Sequence, residues 1–157
     1  MSLIRRSARF PSLCLRGVLF AAMFVATPLH AAAMTVYKTA TCGCCSAWVE
    51  HVRQAGFDVE AIDVERARLI EYKREAGLDQ RLASCHTARI DGYVIEGHVP
   101  AADIRRLLEE RPDVAGLAVP GMPVGSPGME YGDRVDPYRV IAFDEQGGMR
   151  IFAEYGN

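Results

Sequence analysis

No stretch of this 157-residue chain is apolar over the length that a membrane span needs. The longest run, Val18 to Ala26, is about half of the ~20 residues required, and Pro28 ends it. A basic excess is missing too: 18 Lys and Arg stand against 20 Asp and Glu. Four of those arginines (Arg5, Arg6, Arg9 and Arg16) precede the apolar run. Residues 34–157 therefore carry 14 basic against 20 acidic side chains, a net charge of about −6. Phosphate neutralisation needs a basic face, so nucleic acid is not an expected partner. Internal repeats, low-complexity tracts and linker-like segments are absent as well, which leaves one ordinary domain.

The first thirty-odd residues have an arrangement of their own. A basic stretch with no acidic residue, a short apolar run and the small-residue segment Ala31-Ala-Ala33 follow one another. That order reads as a secretory signal peptide cleaved near Ala33. Arg5-Arg6 hints at twin-arginine export, although its flanking residues fit poorly. The expected organisation is a cleaved leader over 1–33 and one exported domain over 34–157, located in the periplasm and with no membrane span once the leader is gone.

Cysteine placement is the most specific feature. Of five cysteines, Cys14 leaves with the leader, and three of the remaining four fall within Cys42-Gly-Cys-Cys45, a CxCC motif. Two structural disulfides are the ordinary reading of four cysteines in an exported domain. Cross-linking so short a loop removes little entropy from the unfolded chain, however, so stapling is a weak explanation. The sulfurs are gathered for chemistry.

The order of elements predicts how they meet. Met34–Thr39 reads as a strand, Ala47–Ala55 as a helix stopped by Gly56, and Phe57–Val64 as a second strand. A charged helix over Glu65–Ala76 follows. Ala88–Ile90 and Tyr93–Glu96 flank Asp91-Gly92, a tight-hairpin signal. Pro100 opens a third helix that Pro112 ends, a long loop fills Val114–Asp136, and a hairpin around Gly147-Gly148 closes the chain. This is an α/β (α+β) order similar to thioredoxin and glutaredoxin: a mixed sheet flanked by helices, with an extra C-terminal hairpin. It sets Cys42, Cys44 and Cys45 at the first strand–helix junction, where the helix N-terminus favours thiolates. Gly43 is expected to permit the close approach of the three sulfurs. Cys85 stands where such folds carry a cis-proline facing that junction, so four thiols are expected in one pocket.

Crowded thiolates select soft metals. Adjacent Cys44 and Cys45 fit the usual zinc spacing poorly, whereas Cu(I) accepts low coordination and bridging sulfur. Copper is preferred, and plain thiol redox and zinc or another metal stay open beside it. His86 is a candidate ligand or proton relay. Met122 and Met129, in the loop Gly121–Met129, are candidate thioether donors, with packing over the core slightly preferred. His98 reads as structural, His51 as a surface residue, and Trp48 as packing that keeps one side of the cluster dry.

The stretches Tyr37–Trp48, Ser84-Cys-His-Thr87 and Gly121–Glu130 resemble the domain-of-unknown-function-411 family, whose copper-resistance members are called CopG-like. The resemblance spans essentially all of residues 34–157. It implies a thioredoxin-like fold, a periplasmic role in copper tolerance by sequestration or redox cycling, and Cu(I) on Cys42, Cys44, Cys45 and Cys85. It also implies several coppers in a thiolate-bridged cluster, with other periplasmic copper-handling proteins as partners. Catalytic turnover is left undecided, and a cell-envelope thiol–disulfide oxidoreductase is the alternative.

Overall fold

A computed structural model describes residues 33–156. The segment read as an export leader lies outside the described residues, apart from Ala33.

Seven strands form one mixed sheet in the order β2-β1-β3-β4-β5-β6-β7. β1 (Ala33–Lys38) runs parallel to β2 (Asp58–Asp63), and α1 (Gly43–Gln54) makes the crossover between them. α2 (Arg66–Glu75) follows β2 and leads through a single 3-10 turn, Gln80–Leu82, to the central hairpin. That hairpin pairs β3 (Thr87–Ile90) with β4 (Tyr93–Glu96), and β3 lies antiparallel to β1. Asp91 and Gly92 both take positive φ, 49° and 88°, as a two-residue turn of matching twist requires. α3 (Ala101–Glu110) then leads to β5 (Gly116–Ala118), parallel to β4. β6 (Tyr138–Phe143) and β7 (Met149–Tyr155) form the terminal hairpin.

The mixed sheet, its helices and the added hairpin are those expected. The long loop expected over Val114–Asp136 is corrected in one place, because β5 lies inside it. Three residues are too few to show a period of two, so nothing in Gly-Leu-Ala announced a strand.

Side chains of successive residues point to opposite faces of a strand, which separates two cores. Met34, Val36, Ile90, Ile95 and Leu117 meet Trp48, Val49 and Val52 of α1 and Ile104 and Leu107 of α3. Each such fully buried aliphatic side chain contributes about 1.5–3 kcal/mol. A smaller cluster on the other face joins Leu82, Val94, Ala118 and Phe143. Tyr155 donates to the Asp103 carboxylate over 2.6 Å, tying the terminal hairpin to the first turn of α3. Among the described residues no helix is long and apolar enough to cross a membrane.

Candidate metal centre

β1 ends at Lys38, and the chain turns over Thr39–Thr41 into α1. Cys42 is the N-cap of that helix and offers no side-chain oxygen to its first N–H groups. Acidic residues are missing from the first turn as well. The partial positive charge of the helix start is therefore left facing the three sulfurs. Gly43 has open space around a built Cβ and no positive φ. The close approach of the sulfurs thus does not depend on glycine there, which corrects the expected role.

Cys42 and Cys45 are joined in a disulfide, while Cys44 and Cys85 are free. The Cys44 sulfur lies 3.4 Å from that of Cys42 and 3.8 Å from that of Cys85. One ligand atom from each of the four cysteines falls within 4.8 Å of the others, so the segment before β3 does bring Cys85 to the helix start. Cys45 is fully buried and Cys42 is half-buried. Burial, and then proximity to Cys44, push the Cys85 thiol up to about 12.

Two histidines extend the sulfur set. The Cys85 sulfur is 3.1 Å from Nε2 of His98 and 3.4 Å from Nδ1 of His86, and these three residues form a second cluster whose atoms could hold a metal ion. His98 Nδ1 lies 2.8 Å from the Pro127 carbonyl. A carbonyl can only accept, so Nδ1 carries the proton and Nε2 turns its lone pair toward Cys85. That is the tautomer and outer contact of a ligating imidazole. Burial lowers the pKa of both rings, most strongly for His86, which also feels His98 and Lys73. His86 is fully buried against Trp48, and its Nε2 has no partner among the described residues.

His98 is thus the site residue that sequence reasoning assigned to structure. The β-ladder pairs Thr87 with Glu96, and the same register carried two residues further sets His98 opposite Cys85. His51 also departs from expectation. It is half-buried, and its Nε2 accepts the Ala101 N–H at 3.2 Å, capping α3.

The glycine- and proline-rich loop closes over this corner. Gly128 packs so tightly that a Cβ would stand 2.7 Å from the Cys44 carbonyl and 2.7 Å from the Trp48 nitrogen. Met122 is 52% exposed and does not pack over the core as preferred. It shares a cleft of about 400 Å³ with Cys42, Cys85, Ser84, Ile70 and Lys73. Met129 is half-buried, and its backbone bonds to Gly125 and Ser126 within the loop. Trp48 is fully buried, donates its Nε1–H to the Val99 carbonyl and sets its ring beside that of His86, so it packs in the core as expected.

The arrangement offers soft sulfur, two neutral imidazoles and a thioether at the mouth, a donor set suited to Cu(I) or another soft ion. It equally holds a disulfide beside a free thiol. A family model described as "Protein of unknown function, DUF411" matches residues 82–129. Among curated proteins none matches. Two solved structures of a copper resistance protein copG, form 2 and form 1, are 49% and 46% identical to this chain. Each alignment covers 80% of this chain and 98% of that one, with a TM-score of 0.74. With that identity carried over nearly the full length of those chains, the protein belongs to the DUF411 family that includes them.

Proposed function

We propose that this chain is a periplasmic copper-binding protein that holds Cu(I) on Cys42, Cys44, Cys45 and Cys85 for copper tolerance, with several ions bridged by thiolate. The convergence of four sulfurs from two segments of the chain within 4.8 Å carries the reading. Support comes also from the two related structures, which are named copper resistance proteins. His98 and His86 add neutral nitrogen donors around Cys85, and Met122 stands where an ion would enter. Export with cleavage near Ala33 belongs to the same proposal, as does the thioredoxin-like description, which the β2-β1-β3-β4 strand order supports.

The disulfide sets a condition on loading. Two electrons and two protons, delivered as a pair of external thiols that leave as their own disulfide, convert the Cys42–Cys45 bond into two further donors. A second reading follows from that same bond, namely a thiol–disulfide oxidoreductase that binds metal only when reduced. Anaerobic Cu(I) titration of the reduced chain, with metal counted per chain, separates the two. Copper storage predicts tight, multi-ion uptake that falls in Cys85→Ser and in Cys44→Ser. Weak uptake, together with disulfide reductase turnover retained in Cys44→Ser, would assign the oxidoreductase instead.

A further inference from the structure

Behind Cys85 lies a buried ion pair that the copper reading does not use. Glu96, the last residue of β4, is fully buried, and its partner is Lys73 of α2. The carboxylate spends its acceptors on the segment that carries Cys85. Oε1 accepts the Ser84 backbone N–H over 2.6 Å and pairs with Lys73. Oε2 accepts the Thr87 hydroxyl over 2.7 Å, and Lys73 donates to that same hydroxyl oxygen over 2.9 Å.

One side chain therefore grips the residue before Cys85 and the residue after His86. The grip matters because β3 begins only at Thr87, so Ser84 and Cys85 lie outside its ladder. Gly97 lets the segment come close: a Cβ there would stand 2.5 Å from the Ser84 side chain. Lys73 also lines the cleft that opens on Cys42 and Cys85, which links the α2 wall of the cleft to the sulfur it exposes.

An ion pair whose carboxylate is fully buried is costly to desolvate, and apolar side chains of the same volume would often serve stability as well or better. What apolar side chains could not do is hold a backbone N–H and a hydroxyl on either side of a ligand. Carboxylates that orient a metal's ligands from behind have that role in general.

We propose that Glu96, clamped by Lys73, is a positioning residue that sets the Cys85 sulfur against Cys44 and His98 for metal binding. The inference rests on the copper reading for its purpose but not for its geometry.

The test uses the full exported chain and compares Glu96→Leu, Glu96→Gln and Lys73→Met with the parent. Two readouts are taken on folded protein: Cu(I) affinity by competition with a chromogenic chelator, and alkylation of Cys85 in the metal-free disulfide form, located by peptide mass. The expected result is a loss of about tenfold in affinity for Glu96→Leu and Lys73→Met. Cys85 should alkylate faster in both, and Glu96→Gln, which still accepts hydrogen bonds, should restore part of each property. Parent-like affinity and alkylation in the folded variants would reduce Glu96 to a structural residue and overturn the proposal. Should Glu96→Leu fail to fold, Thr87→Val removes one arm of the grip alone and decides the question by the same readouts. If the parent itself binds no Cu(I), the copper reading fails, and the alkylation rates alone judge the positioning role.

Discussion

His98 presents its Nε2 lone pair to the Cys85 sulfur at 3.1 Å because the Pro127 carbonyl holds the opposite ring nitrogen at 2.8 Å. The loop that carries Pro127 is therefore part of the site, and its seating on α1 has a measurable effect.

Gly128→Ala tests that seating. The added methyl group meets the Cys44 carbonyl and the Trp48 nitrogen at 2.7 Å, and φ at this position is +82°. The loop must lift from α1 and take the Pro127 carbonyl with it. Losing an outer partner of a metal ligand typically weakens metal binding by about 10–100-fold, and a fall in this range is expected for Cu(I) in chelator competition. Unchanged affinity would show that the loop does not orient His98.

Copper uptake should release a proton from Cys85. Burial and Cys44 push this thiol from 9.0 up to about 12, so it is neutral at pH 7, whereas the metal takes the thiolate. Calorimetric titrations of reduced protein in buffers of different ionisation enthalpy should differ by the proton count, and Cys85→Ser should lower that count. The metal-free fold favours the neutral thiol, a contribution present in full below pH 9.0 and lost as pH climbs toward 12.

Loading should depend on reduction. With Cys42 and Cys45 joined, only Cys44 and Cys85 are free thiols among the described residues. Protein kept in the disulfide form should carry less copper per chain than the same protein reduced anaerobically, as read by elemental analysis. Equal loading in the two forms would separate the bond from metal binding.

Trp48 offers an internal reporter. It is the only tryptophan in the chain, and its ring centre lies 4.4 Å from that of His86. Cu(I) binding at Cys85 should quench its fluorescence in step with metal added, and Cys85→Ser should flatten the response. Trp48→Ala should destabilise the fold by about 3–5 kcal/mol in chemical unfolding, the usual result of emptying so large a buried site.

Much of this molecule was legible where local chemistry decides local structure. Asp91-Gly92 announced its hairpin, Pro100 and Pro112 bracketed α3, and the first strand–helix junction placed three of the four sulfurs. β5 was hidden because its three residues pair only once the rest of the sheet exists. His98 was legible in principle, since the hairpin register sets it opposite Cys85, but a histidine before Val-Pro reads as a helix entry. The grip of Glu96 was hidden in another way. Lys73 comes from a charged helix whose hydrophilic pattern suggests a solvated face, and only tertiary packing carries its ammonium group inward. His51 was misread for the same reason, because its partner is a helix start fifty residues away.

The tight turn at Asp91-Gly92 also bears on what the gene can tolerate. Exposed turns are ordinarily where chains accept inserted residues with least harm. Here the turn sets the register that brings His98 across from Cys85, and a slip of one residue would send alternate side chains to the wrong face of the sheet. Length variation at this exposed bend should therefore be selected against as strongly as loss of a cysteine, and a library of insertions along the chain should find one of its sharpest intolerances there.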